Sequence, residues 1–157
     1  MSKFELKIDK NADAAKITIA GIIDEDVDFN EFRLNGINQM EFDLNSVKSI
    51  NSCGIREWIK WLGTNSKAKM TYVNCPKIIV DQINMVDGFL PKNGKVLSFY
   101  VPYYNDDSGT EKNVLFRHGT EFTDTTVTPP EKVVDETGNS MEMDVIETKY
   151  FKFLGKK

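Results

Sequence analysis

An α/β fold with a small β-rich unit appended behind it is what this sequence predicts, and three observations point there. From Met40 to Val101, short β-forming runs alternate with segments of helical period, the pattern of strands joined by crossover helices in a largely parallel sheet. Ahead of that alternation lie two β-type runs separated by a short turn, which read as an antiparallel pair. From Pro102 onward the texture changes to glycine-containing turns beside β-type sequence. The expected organisation is a mixed β-sheet with helices packed on it over residues 1–101 and a second, smaller unit over 102–157.

Phe4, Leu6 and Ile8 alternate with polar neighbours and stop at the turn-prone Lys10-Asn11-Ala12-Asp13, which predicts a half-buried strand. Ile17, Ile19 and Gly21-Ile22-Ile23 make the second. The acidic segment Asp24 to Glu31 carries Val27 and Phe29 and reads as a solvated loop leading into a short helix, with carboxylates near its N-terminal end. Met40 to Leu44 is expected as a buried strand followed by a polar loop. A helix is expected over 52–63, where Ile55, Trp58, Ile59 and Leu62 form one apolar stripe at helical spacing. Gly63 and Asn65 end it. Met70, Tyr72, Val73 and Cys75 belong to another buried strand. Pro76 starts a second helix with Ile79, Ile83 and Val86 facing the core, and Gly88 closes it. Val96 to Val101 is expected as the last strand of the first unit.

The chain has 157 residues, 40% hydrophobic and 28% charged, enough to bury a sizeable core as one domain plus an appendage. Its apolar runs are far shorter than the roughly 20 residues that a membrane span needs, and its N-terminus lacks a secretory apolar core. A cytoplasmic location is the expectation. Without a signal peptide, Cys53 and Cys75 are expected as free thiols. The formal net charge of −4 leaves no basic footprint for nucleic acid or anionic lipid. No glycine-rich phosphate loop, His-Glu-x-x-His or Gly-x-Ser-x-Gly motif is present. The lone histidine, His118, cannot make a zinc site and lies outside the unit that holds Cys53. A non-enzymatic protein without a cofactor or resident metal is the expectation.

Chemistry has a positional argument at one place. Asn51-Ser52-Cys53-Gly54 sets a capping residue beside a serine where unpaired N–H groups and the helix macrodipole favour negative charge. A phosphate on Ser52 would be well placed there. Around it, Asp43-Leu44-x-x-Val47-x-x-Ile50-Asn51-Ser52-Cys53-Gly54-Ile55, with Gly21-Ile22-Ile23-Asp24 closing a strand upstream, resembles the STAS domain. That domain is shared by bacterial anti-sigma factor antagonists and the cytoplasmic tails of sulphate transporters. The resemblance covers about residues 14 to 100. It implies a phosphoserine at Ser52 followed by the motif glycine at Gly54. Asn51 stands where the family usually has Asp, and Cys53 where it has Ser or Thr. The implied partner is an anti-sigma factor that is also the serine kinase, bound through Asp24, Asn51, Ser52, Cys53, Gly54 and Ile55. In STAS domains the loop after Asp24 lies near the phosphoserine end, which makes it an acidic docking rim. Two other functions stay open: a constitutive scaffold or assembly module, and a small-ligand sensor of the kind some STAS domains form beside the same helix.

Behind Pro102, Asn105-Asp106-Asp107-Ser108-Gly109 and Val134-Asp135-Glu136-Thr137-Gly138 share a spacing, and each precedes β-type sequence. The pair resembles the two knuckles of a zinc ribbon. Its ligand positions would be Asn105, Ser108, Val134 and Thr137, none of them a thiolate or imidazole, so a zinc-ribbon-like unit without metal, held by other means, is expected. Asp106, Asp107, Asp135 and Glu136 could suit calcium or magnesium if the turns face each other, although solvated turn acids are far commoner. Residues 145–154 are expected as a short helix or extended tail anchored by aromatic side chains.

Overall fold

The computed structural model describes residues 3–154. Strand β1 (Glu5–Asn11) turns through Ala12 and Asp13 into the antiparallel β2 (Ala14–Ile23), and this two-residue connection takes Ala12 to φ +57. After a 3-10 turn (Phe29–Glu31) capped by Asp28, β3 (Gln39–Ile50) runs parallel to β2. Helix α1 (Ser52–Gly63) leads to β4 (Lys69–Val73), and α2 (Lys77–Met85) leads to β5 (Gly94–Val96). The sheet has the order β1-β2-β3-β4-β5 and is parallel except for β1. The crossovers between sequential parallel neighbours run through α1 from β3 to β4 and through α2 from β4 to β5. The strands show which side is which. Met40, Phe42, Leu44, Met70 and Tyr72 are buried, whereas Glu41, Asp43, Thr71 and Val73 between them are half-buried.

A second, antiparallel sheet has the order β7-β6-β8, from β6 (Ser98–Tyr104), β7 (Glu111–Arg117) and β8 (Glu142–Met143). Helix α3 (Glu147–Tyr150) follows and is the third α-helix among the described residues. The architecture is mixed α/β. Buried apolar side chains from both sheets, Ala15 through Phe153, form one cluster.

Three expectations are corrected. First, β3 does not stop at Leu44 but continues to Ile50 through the stretch expected as a polar loop. Its inward side chains are Met40, Phe42 and Leu44, then Val47 and Ile50, so a spacing of two becomes a spacing of three. The register against β2 slips twice, between Thr18 and Ala20 and between Gly21 and Ile22, and each slip inserts one extra residue on β3. A bulge of this kind resets the in–out alternation while the strand goes on pairing.

Second, α1 has the expected bounds and buries Trp58 and Leu62 of the expected stripe, but its covered face is turned away from Ile55 and Ile59. Gly54, Trp58, Trp61 and Leu62 are buried, while Ile55 and Ile59 are half-buried at the flank. The helix lies so close to β2 at Gly54 that the face carrying this glycine must point inward, and Trp61, seven residues on, comes with it. Third, the strand expected over 96–101 is two strands in two sheets, with Leu97 between them. The backbone stays tied across the change: Leu97 N donates to Tyr72 O (2.9 Å), and Tyr100 N donates to Cys75 O (2.9 Å). In α2, likewise, Pro76 sits just before the helix instead of in its first turn, and Val80 is buried with Ile79 and Ile83 while Val86 is half-buried.

Candidate functional site

The six residues expected to bind a partner are gathered where β2 ends and α1 begins. Asn51 is extended (φ −106), and its Oδ1 accepts a hydrogen bond from Gly54 N at 2.9 Å, which satisfies one of the donors that a helix N-terminus leaves open. Its backbone N donates to Ile23 O (3.2 Å), and its Nδ2 donates to Glu25 Oε2 (2.7 Å). One asparagine therefore caps α1 and latches it to the acidic loop. The Asn51 amide, and then the loop backbone, hold the Glu25 carboxyl below the usual carboxylate range. Ser52 is the first residue of α1 and is exposed, and its hydroxyl makes no hydrogen bond among the described residues.

Gly54 is buried because a Cβ there would stand 2.3 Å from Ile23 O. Cys53 and Ile55 are half-buried beside it, and Cys53 is a free thiol. Cys75 is also free but wholly buried, and that burial pushes its thiol well above the usual range. Asp24 orders the loop: its Oδ1 accepts from Asp26 N (3.0 Å) and its carbonyl from Val27 N (3.2 Å). The cluster thus sits at the carboxyl ends of two parallel strands, the end at which open α/β sheets usually place their binding sites. The same loop walls a cleft of about 550 Å³ lined by the apolar Phe4, Ile22 and Phe32, by the acidic Asp24, Asp26 and Asp28, and by Lys3. A lining of apolar and mostly acidic side chains can hold a protein segment.

The two glycine turns of the C-terminal part do come together, around one carboxylate. Asp135 Oδ1 accepts from Thr137 N, Thr137 Oγ1 and Asn139 N, each at 2.9 Å, and Oδ2 accepts from Asn139 Nδ2 and Ser108 Oγ, each at 3.2 Å. Asn105 completes the junction, accepting from Ser108 N (2.9 Å) and donating to Ser140 O (2.6 Å). Of the four ribbon-type positions, Asn105, Ser108 and Thr137 are thus in the network, and Val134 accepts from Lys112 Nζ through its carbonyl (3.3 Å). Asp106, Asp107 and Glu136 stay exposed, and no group of three acids, cysteines or histidines among the described residues is placed to hold a metal ion.

Only 8% of Asp135 is exposed, and the donors around it, the Asn139 amide foremost, lower its carboxyl from an ordinary 3.8 to about 2. A depressed folded pKa contributes stability that is present above about pH 4 and is lost as pH falls through about 2. Asp135→Asn is expected to flatten this limb of an acid-unfolding titration followed by fluorescence and to loosen the Ser108 turn already at neutral pH. An unchanged acid limb would show that the carboxylate does not join the turns.

His118, at the end of β7, points Nε2 at Asp124 Oδ1 (2.8 Å), and Lys95 Nζ approaches the same oxygen (3.2 Å), a tie between β5 and the loop that follows β7. Sequence reasoning missed Glu25 as the latch, because nothing distinguishes one acid in an acidic run. It saw Asp135 only as one of four turn acids. The signal that would have found it is the Asp-x-Thr-x-Asn spacing, which lets one carboxylate accept from the next turn of its own backbone. No protein-family model matches the chain, and no curated protein matches it either.

Proposed function

We propose that this chain is a STAS-like, cytoplasmic regulatory module that acts by protein–protein binding through the N-terminal end of α1, with phosphorylation of Ser52 as its switch. The observation that carries this reading is the division of labour between neighbours: Asn51 caps the helix, which leaves the Ser52 hydroxyl exposed and uncommitted. The N-terminal hairpin, the parallel strands β2 to β4 and the tight approach of Gly54 to β2 suit the STAS arrangement. No helix among the described residues is long and apolar enough to cross a membrane. The partner is an anti-sigma factor that is also a serine kinase. The appended unit is read as a zinc-ribbon-like pair of turns in which the Asp135 carboxylate does the joining that a metal ion would do.

The electrostatics give the switch a mechanism. A phosphate at Ser52 gains roughly 0.3–1 kcal/mol from the helix terminus, so it is tolerated locally. Its charge of about −2 is added beside the acidic loop, so the face presented to a partner changes much more than the fold does. Incubation with a partner kinase of the anti-sigma type and ATP is expected to add the mass of one phosphoryl group to the wild type and none to Ser52→Ala. No addition to the wild type, or the same addition to Ser52→Ala, ends the proposal. A second reading, a constitutive scaffold, draws on Asp135, which ties the appended turns with no exchangeable ion. Ser52→Asp separates the two: binding to that partner weakens at least about tenfold if Ser52 is a switch and is unchanged if the module is a scaffold.

A further inference from the structure

Away from α1, a cleft of about 580 Å³ opens between α2, the end of β6, β8 and α3. Three large apolar side chains are exposed among the described residues, and two of them, Met85 (71%) and Ile146 (62%), stand on this cleft. Concentrating them at one rim marks an interaction face. A small molecule inside the cleft would leave the outer parts of both side chains in water. A protein surface laid across it covers them.

The charges on the same face narrow the identity of that surface. Four charged residues line the cleft, two of each sign: Lys77, Lys149, Asp81 and Asp144. Lys77 and Asp81 satisfy one another across one turn of α2 at 2.9 Å. Lys149 and Asp144 make no ion pair among the described residues. A face with one open cation, one open anion, a hollow and two apolar projections carries both halves of a complementary set. That is what a two-fold interface requires, since each contact from residue i to residue j recurs from j to i.

We infer that this face binds a second copy of the same chain, forming a two-fold dimer in which Met85 and Ile146 of one protomer enter the cleft of its partner. Lys149 of each protomer pairs with Asp144 of the partner subunit. A face limited to one cleft and its rim belongs with small, reversible interfaces, so the dimer is expected to form and dissociate with concentration. No residue of α1 lines this cleft, and the inference uses none, so it stands whether or not the phospho-switch does.

Sedimentation equilibrium of the full chain from about 1 to about 500 µM covers the range in which such interfaces assemble. The weight-average mass is expected to climb from the monomer value towards twice that value. Met85→Glu, at a side chain outside the core, is expected to keep the wild-type circular dichroism and melting temperature yet stay monomeric throughout. Lys149→Asp and Asp144→Lys are each expected to weaken association about tenfold or more, and the double reversal to restore it to within about threefold, as charge complementarity dictates. A wild type that stays monomeric at every concentration, association untouched by Met85→Glu, or a double reversal no tighter than the single ones would each overturn the inference.

Discussion

Trp58→Ala is expected to destabilise the protein by about 3–5 kcal/mol, a large fraction of the roughly 5–15 kcal/mol that holds a folded domain together. Trp58 is 1% exposed and stands at the centre of the aromatic cluster that joins α1 to the sheet. Its ring stacks on Phe89 (5.8 Å, 20° between planes) and meets Phe29, Phe42, Trp61 and Tyr72 edge-on at 5.3–6.0 Å. Such a site cannot collapse around alanine, because its walls are themselves large rings fixed by other contacts.

There is a polar part to this loss as well. Trp58 Nε1 donates to Tyr72 Oη (3.0 Å), which in turn donates to Phe89 O (2.5 Å). Tyr72 is fully buried, and desolvation raises its hydroxyl far above the usual range, so it remains a neutral donor. Trp58→Phe keeps an aromatic ring in the site but loses the N–H together with the fused five-membered ring, and is expected to cost about 1–3 kcal/mol, less than alanine does. Urea denaturation followed by far-ultraviolet circular dichroism measures both. If the two variants lose the same amount, volume at this site matters less than the hydrogen bond, and the packing account fails.

Gly54→Ala is the second large effect, and its sign runs against helix propensity. In an isolated helix the change is favourable by about 1 kcal/mol. Here the new Cβ lands 2.3 Å from Ile23 O and 2.8 Å from Ile23 C, backbone atoms that move only if α1 and β2 separate. Overpacking of that kind is expected to leave a net loss of about 1–3 kcal/mol. Gly63→Ala, at the far end of the same helix with nothing within 4 Å of the new Cβ, supplies the contrast and is expected to stabilise by up to about 1 kcal/mol. Opposite signs at the two ends of one helix test close approach directly. Gly54→Ala also displaces the bond from Asn51 N to Ile23 O and the latch to Glu25, so it is expected to slow any phosphorylation of Ser52 although Ser52 itself is untouched.

The residues that were legible in the sequence share a property: the information about them is local. Helix α1 opens at Ser52 and ends at Gly63 as expected, since a cap, an apolar period and a terminal glycine all lie within the segment they describe. The hairpin of β1 and β2 was readable for the same reason. Which face α1 buries was only partly so. The expected stripe of Ile55, Trp58, Ile59 and Leu62 is right for Trp58 and Leu62, but the covered face is turned towards Gly54 and Trp61, which leaves Ile55 and Ile59 at the flank. The approach of Gly54 to Ile23, thirty-one residues earlier in the chain, sets that rotation.

The same contrast separates the remaining outcomes. The last part of β3 looked like a loop because its bulges break a period of two, and only the pairing with β2 shows that the strand continues. Leu97 divides what reads as one apolar strand because its neighbours pair with different partners on either side. At the candidate site, Asn51 and Ser52 were legible as a cap and an exposed hydroxyl, while Glu25 became visible only when folding brought Asn51 to it; Asp135 takes its donors from its own turn, apart from the Ser108 hydroxyl. The sequence by itself determined the order of the strands and helices up to β5 and the bounds of α1, since periodicity, caps and turn residues act over one or two turns of chain. The tertiary structure alone decided how far each helix face is turned to the core, which sheet each strand joins and that Asn51 latches Glu25, because those outcomes depend on distances between segments that local preference does not encode.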